Sequence, residues 1–180
     1  MKKIFLFAFG IALLSLASCG NKKNDDNANA GVPAGMVAAD LSSVGLNVLV
    51  NVPDSTVAPL EIVSNAQGGA DVKVGKNFQI TIIEGPGNMD MKKNDITHDD
   101  VRKFIKYVGD AKDQDPNSMI WEWQIEGMEP DFQFYAIVKD GEKTFEVRAV
   151  EGEVFSEKAA TQMLDAAKSV RSKAPAKAES

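Results

Sequence analysis

The sequence predicts an α+β fold, an antiparallel β-sheet of about seven strands with two helices packed on it. Three observations point there. Apolar and polar residues alternate over much of the chain, two stretches lengthen that spacing to the helical one, and turn residues separate the alternating runs.

The first alternating run is Leu46, Val48, Val50 and Val52, interrupted by Asn47 and Asn51. Leu60 to Ser64 and Ala70 to Val74 flank the turn-rich Asn65-Ala66-Gln67-Gly68-Gly69, and Phe78, Ile80 and Ile82 alternate again. These read as four strands, because successive strand side chains point to opposite faces. A helix is expected next. Thr97 can cap it with Asp100 following, Ile96 can staple to Val101, and Val101, Phe104, Ile105 and Val108 form one apolar stripe before Gly109 ends it.

Three strands follow, and their turns set a register. A two-residue hairpin turn at Asp140-Gly141 places Phe134 opposite Val147, Ala136 opposite Phe145, Tyr135 opposite Glu146 and Gln133 opposite Arg148. A four-residue loop at Gly127 to Pro130 places Trp123 opposite Phe134, Trp121 opposite Ala136 and Glu122 opposite Tyr135. Both turns send apolar residues to a common inner face. A one-residue slip would reverse every side chain, so this agreement favours the register. Finally Ser156 caps a helix with Ala160, Met163, Leu164, Ala167 and Val170 along one side.

At the N-terminus, Lys2 and Lys3 precede a predominantly apolar run from Ile4 to Leu16 that ends in small residues, the pattern of a secretory signal peptide. The run is shorter than the ~20 apolar residues that span a bilayer. Leu16-Ala17-Ser18-Cys19 resembles the lipobox of bacterial lipoproteins. The resemblance implies that residues 1–18 are removed and that Cys19 is acylated, with several chains giving permanent attachment where one alone binds marginally. Gly20, where lipoproteins retained in the inner membrane often have Asp, points to the outer membrane, periplasmic or surface face. The expected partner at this end is the membrane, reached through the lipid on Cys19.

Residues 19–39 hold hardly any large apolar side chain and read as the lipidated cysteine and a flexible tether. Residues 40–173 read as one α+β domain, long enough to bury about two-thirds of its unfolded surface, and 174–180 as a polar tail. With its only cysteine taken by lipid, the domain has no disulfide to lean on. Loss of Lys2 and Lys3 with the signal takes the formal charge from -6 to -8, which excludes attraction to nucleic acid.

Candidate chemistry is sparse. Asp113-Gln114-Asp115-Pro116-Asn117 begins like a calcium loop, but Ser118 stands where Gly makes the sharp turn and Gln124 where a bidentate Glu belongs. His98, the only histidine, lies downstream of Met89 and Met91, a soft set that suits copper(I), against the plainer reading of loop residues. Gly85-Pro86-Gly87 reads as a turn followed by a loop, and Trp121 and Trp123 as core residues of the apolar face. No Ser has a nucleophile-elbow pattern around it. The register puts Glu122 and Glu146 on the outer face about 10 Å apart, just beyond the spacing of an inverting glycosidase. No catalytic, metal or cofactor motif is complete, so neither an enzyme nor a cofactor is expected.

An opening strand running into Val52-Pro53, the run Val74-Gly75-Lys76-Asn77-Phe78-Gln79-Ile80, the late three-strand meander, and Met163-Leu164 with Ser169-Val170 resemble the PsbP superfamily over Gly45 to Ser172. The resemblance implies a sandwich of sheet and helices, and a binding or assembly module without catalysis. The expected ligand face is the outer side of the meander, one row Glu122, Tyr135, Glu146 and the next Gln124, Gln133, Arg148. Tyr and Arg are enriched where partners bind most tightly, and an envelope protein or a glycan is the expected ligand. The loop from Gly85 to Asp95 is the next candidate.

Overall fold

The computed structural model describes residues 31–173 apart from 55, 57, 99 and 111–114. The expected signal peptide, Cys19, the first part of the tether and the tail lie outside the described residues.

The Val and Asn alternation builds β2 (Val48–Pro53). It is flanked by β1 (Met36–Asp40) and the short β10 (Arg171–Ser172), both antiparallel to it, in a three-stranded sheet. Met36 to Ala39 were expected to end the tether. They form an edge strand instead, because Ala39 packs into the core and β1 matches β2 residue for residue from Met36 opposite Pro53 to Asp40 opposite Leu49.

The larger sheet holds β3 (Leu60–Ser64), β4 (Ala70–Val74), β5 (Gln79–Glu84), β6 (Ile105–Asp110), β7 (Ser118–Trp123), β8 (Asp131–Asp140) and β9 (Lys143–Ala149). Its order is β3-β4-β5-β9-β8-β7-β6, every neighbouring pair antiparallel. The expected architecture is therefore observed, and so is the size of the main sheet, with one exchange of members. The first expected strand has left for the small sheet, and the expected third-quarter helix supplies a strand in its place.

That exchange has a physical cause. Ile105, Tyr107 and Val108 are β-branched or aromatic and favour a pleated surface, and the strand they form pairs along β7 from Ile105 opposite Trp123 onward. Of the expected helix only a 3₁₀ turn at Arg102–Phe104 remains. Helix α1 (Met89–Thr97) lies just before it, in the segment read as a loop. Asn88 caps α1, its side chain accepting the Met91 N–H at 2.8 Å. Thr97, expected to begin a helix, ends this one, its Oγ1 donating to the Lys93 carbonyl at 2.7 Å.

Helix α2 (Glu157–Ala167) is as expected. Ser156 Oγ accepts the Ala159 N–H, and Ala160, Met163, Leu164, Ala167 and Val170 are all buried. With the small sheet it covers one face of the large sheet, where Phe78, Ile80, Ile82, Phe134, Phe145 and Val147 complete the main core. Helix α1 covers part of the opposite face, sealing a second cluster of Met89, Ile96, Met119, Trp121 and Tyr135. Among the described residues no helix is long and apolar enough to cross a membrane.

The meander register differs from the expected one in both turns. Asp140 pairs with Lys143, so Gly141 and Glu142 form the β8 to β9 turn and Tyr135 stands opposite Arg148. That shift of two residues leaves the faces unchanged. Trp123 pairs with Asp131, so the β7 to β8 connection takes all of residues 124–130 and Glu122 stands opposite Phe132. That shift of three is odd, and it turns every β7 side chain to the other face.

Candidate functional site

On the α1 face the register sets Met119, Tyr135, Arg148, Thr81 and Asp71 side by side across β7, β8, β9, β5 and β4. The Tyr135 hydroxyl accepts the backbone N–H of Asn88 at 3.0 Å and donates to Glu146 Oε2 at 3.1 Å. Tyr135 is only 3% exposed. Burial pushes its hydroxyl up to about 12, the Glu146 carboxylate adding to this and the Asn88 N–H opposing it. Tyr135 thus holds the start of α1 on the sheet and is not displayed to a ligand.

Arg148 is equally engaged. Its Nη2 donates to Gln67 Oε1 at 2.6 Å, its Nη1 to Glu151 Oε1, and its Nε lies 3.4 Å from Glu146 Oε1. Its side chain is 12% exposed. The guanidinium ties the end of β9 to the β3 to β4 turn, and its charge is already met by two carboxylates.

Gln133, Tyr135, Glu146 and Arg148 therefore share one face, as expected, but Glu122 and Gln124 do not join them. Glu122 is buried on the α2 side, 6% exposed. It accepts from Gln124 Nε2 at 2.6 Å and lies 3.6 Å from Lys106 Nζ. Glu122 and Glu146 point to opposite sides of the sheet, so the carboxylate pair weighed for glycoside hydrolysis does not assemble.

What the odd shift brings to the α1 face is the tryptophan pair. Trp121 and Trp123, expected on the inner face, line an open groove of about 330 Å³ beside α1. Lys92 of α1 bounds one side, Asp131 and Gln133 of β8 lie along it, and Arg148, Glu151 and Val154 form the other wall. The Lys92 ammonium sits 5.2 Å from the Trp121 ring centroid, a cation–π contact. Trp121 is buried and its Nε1 has no protein acceptor among the described residues. Gln133 Nε2 donates to both Asp131 oxygens at 2.9 Å and to the Glu153 carbonyl at 3.0 Å, while Asp131 Oδ1 also takes the Phe155 N–H at 2.9 Å. These bonds fix the carboxylate, the amide and the loop after β9 in one arrangement.

The other candidates do not gather. On α1, Met89 turns inward and Met91 outward, as positions two apart on a helix must, and His98 is an exposed residue beside Asp100. Of the calcium-like run, Asp113 and Gln114 lie outside the described residues, and Asp115 accepts from the Asn117 N–H and the Ser118 hydroxyl. Among the described residues no group of three or more His, Cys, Asp or Glu is placed to hold a metal ion. A helix does follow Gly85-Pro86-Gly87, contrary to expectation, but the Met91 and Asn88 N–H groups there are taken by Asn88 Oδ1 and Tyr135.

Comparison with protein-family models, with curated proteins and with solved structures gave no match.

Proposed function

We propose that this chain is a lipid-anchored protein of the bacterial cell envelope that acts as a non-enzymatic binding module, with its ligand held in the groove beside α1. What supports the anchor is the sequence from Lys2 to Cys19, a signal peptide ending in a lipobox. What supports the module is one observation above all. The groove joins two indole side chains to an amide and carboxylates already locked by their own hydrogen bonds. A concave site with an apolar wall and a few fixed polar groups is the usual form of a ligand site. The antiparallel sheet with helices on it also fits the sandwich that the PsbP resemblance implies, a superfamily of mostly binding and assembly modules.

The test is photo-cross-linking in intact cells, with a benzophenone side chain in place of Val154 on the groove wall and, as control, in place of Lys158 on the exposed side of α2. Adducts from position 154 and none from 158 are expected. Equal adduct formation at both positions, or none at 154, would remove the groove from consideration.

A further inference from the structure

We propose that the groove takes an uncharged saccharide unit, stacked against Trp123 and hydrogen-bonded along its edge by Gln133, Asp131 and Glu151. The inference rests on the groove being the ligand site and names the class of ligand.

Charge narrows the choice first. Asp131, Glu151 and Glu153 outnumber Lys92 and Arg148 around the groove. Arg148 is committed to Glu146, Glu151 and Gln67, so no guanidinium is left to receive a phosphate or carboxylate, and an anionic ligand meets net repulsion. A cationic ligand would seek an indole face, but the Lys92 ammonium already sits over Trp121 and would repel a second cation brought to Trp123 in the same groove. A neutral ligand remains.

The walls narrow it further. An extended peptide binds best by adding to a free sheet edge. The groove lies over β7 and β8, both paired on both sides, and so offers no backbone ladder. A sugar ring has an apolar face of C–H groups and a rim of hydroxyls, each both donor and acceptor. Trp123, half-buried at the end of β7, supplies a plane for the first. Acceptors for the second are present along the groove. Gln133 spends its Nε2 on Asp131 and Glu153, and its Oε1 accepts no protein hydrogen bond among the described residues. Asp131 is held by Gln133 and the Phe155 N–H, and Glu151 by Arg148, and a carboxylate has lone pairs beyond those, on Asp131 Oδ2 and Glu151 Oε2 above all. At about 330 Å³ the groove is at the small end of ligand clefts, suited to a short glycan segment and not to a folded partner's surface.

The experiment titrates the full chain, purified from membranes in a detergent that contains no sugar, with short neutral oligosaccharides of glucose, mannose, xylose and N-acetylglucosamine. Sialyllactose and a sulfated disaccharide serve as charged controls. The chain has only two tryptophans, both at the groove, so intrinsic emission reads the site directly. A saturable change with at least one neutral sugar is expected, absent with the charged ones. Trp123→Ala and Gln133→Ala, each checked for cooperative melting, should weaken it about tenfold or more, and Trp123→Phe should restore part of it. No response to any neutral sugar, or a response that survives in both folded alanine variants, overturns the proposal. If position 154 cross-links to polypeptide while no sugar binds, the ligand class is wrong and the groove stands. If neither occurs, both readings fall.

Discussion

Ser172 donates its backbone N–H to Asp140 Oδ2 at 2.6 Å, so the last strand of the small sheet is fastened to the hairpin end of β8 in the large one. Within the small sheet, Asp40 at the end of β1 holds Lys173, the residue after β10. The Ser172 N–H lowers the Asp140 pKa. For Asp40, burial pushes the carboxyl up, but hydrogen bonds from Lys173 and Ser42 outweigh it and leave the pKa lowered to about 2. Both carboxylates bind the proton less readily folded than unfolded. The Asp40 contribution is therefore whole above pH 3.8 and is lost as the pH falls through about 2, and that of Asp140 is likewise present above its unfolded value and lost in acid as the carboxylate takes up its proton. Amide hydrogen exchange should show Ser172 losing protection in acid, as Asp140 is protonated, while β8 and β9 keep theirs. An Asp140→Ala variant should show the loss already at neutral pH. Protection of Ser172 that ignores acid would contradict the fastening.

Tyr135 gives the opposite sign. Its pKa is raised from 10.0 to about 12, so the folded state favours the neutral phenol. That stabilisation is complete below pH 10 and disappears as the pH rises through about 12. Absorbance titration of tyrosinate should show a late ionisation near 12 that Tyr135→Phe removes.

The same substitution strips the Asn88 N–H of its acceptor, and Gly87 just before it has φ +58° with the space for a Cβ filled by Tyr135 Oη and Ile137. Tyr135→Phe should cost about 1–2 kcal/mol. Exchange should quicken throughout α1 and leave the main core unchanged. Chemical denaturation and hydrogen exchange on one sample check both halves.

Gly69 follows a turn built by Asn65, whose side chain accepts from Gln67 and Gly69. A Cβ at Gly69 would lie 2.2 Å from the Ile82 carbonyl oxygen, backbone that cannot rotate away. Gly69→Ala should destabilise by about 1–3 kcal/mol or more, and Gly68→Ala, with open space but φ +79°, should cost less. Melting curves of the two variants settle the order.

How much of this was legible depended on whether a strand has one buried face or two. β3 and β4 were read from Leu60–Ser64 and Ala70–Val74 to the residue, since polar residues alternate there and the turn residues are plain. In β7 the consecutive Met119, Ile120 and Trp121 are all buried, because helices cover both sides, and no alternation remains to say which face is inner. The length of the next loop then decided everything, and Gly127 near its middle, with φ +81°, marks a turn inside it and not its start. At β8 to β9 the Asp-Gly pair is the stronger hairpin signal, but Gly141 takes the first central position with φ +60°, which the primed hairpin turns require there and glycine adopts freely. Helix α1 was missed because only Met89 and Ile96 face inward, two full turns apart, too few to make a stripe. The groove belongs to the strand whose orientation the sequence pattern leaves open, which is why the pattern assigns Trp121 and Trp123 to the inner-face core.

The placement of β1 bears on force as well as on folding. On the proposed anchoring, the segment before the domain enters through Met36, at the rim of the small sheet, and a pull from that direction is borne first by β1. Drawn along the strand axis, the load falls on the whole β1 and β2 ladder together, from Met36 opposite Pro53 to Asp40 opposite Leu49, and not on one rung after another. The polypeptide leaves the far end of β1 into a 3₁₀ turn at Leu41–Val44 that Asp40 caps through the Ser42 N–H. The groove, carried by the other sheet, lies outside that line of tension, so a pull on the N-terminal side of the domain need not deform it.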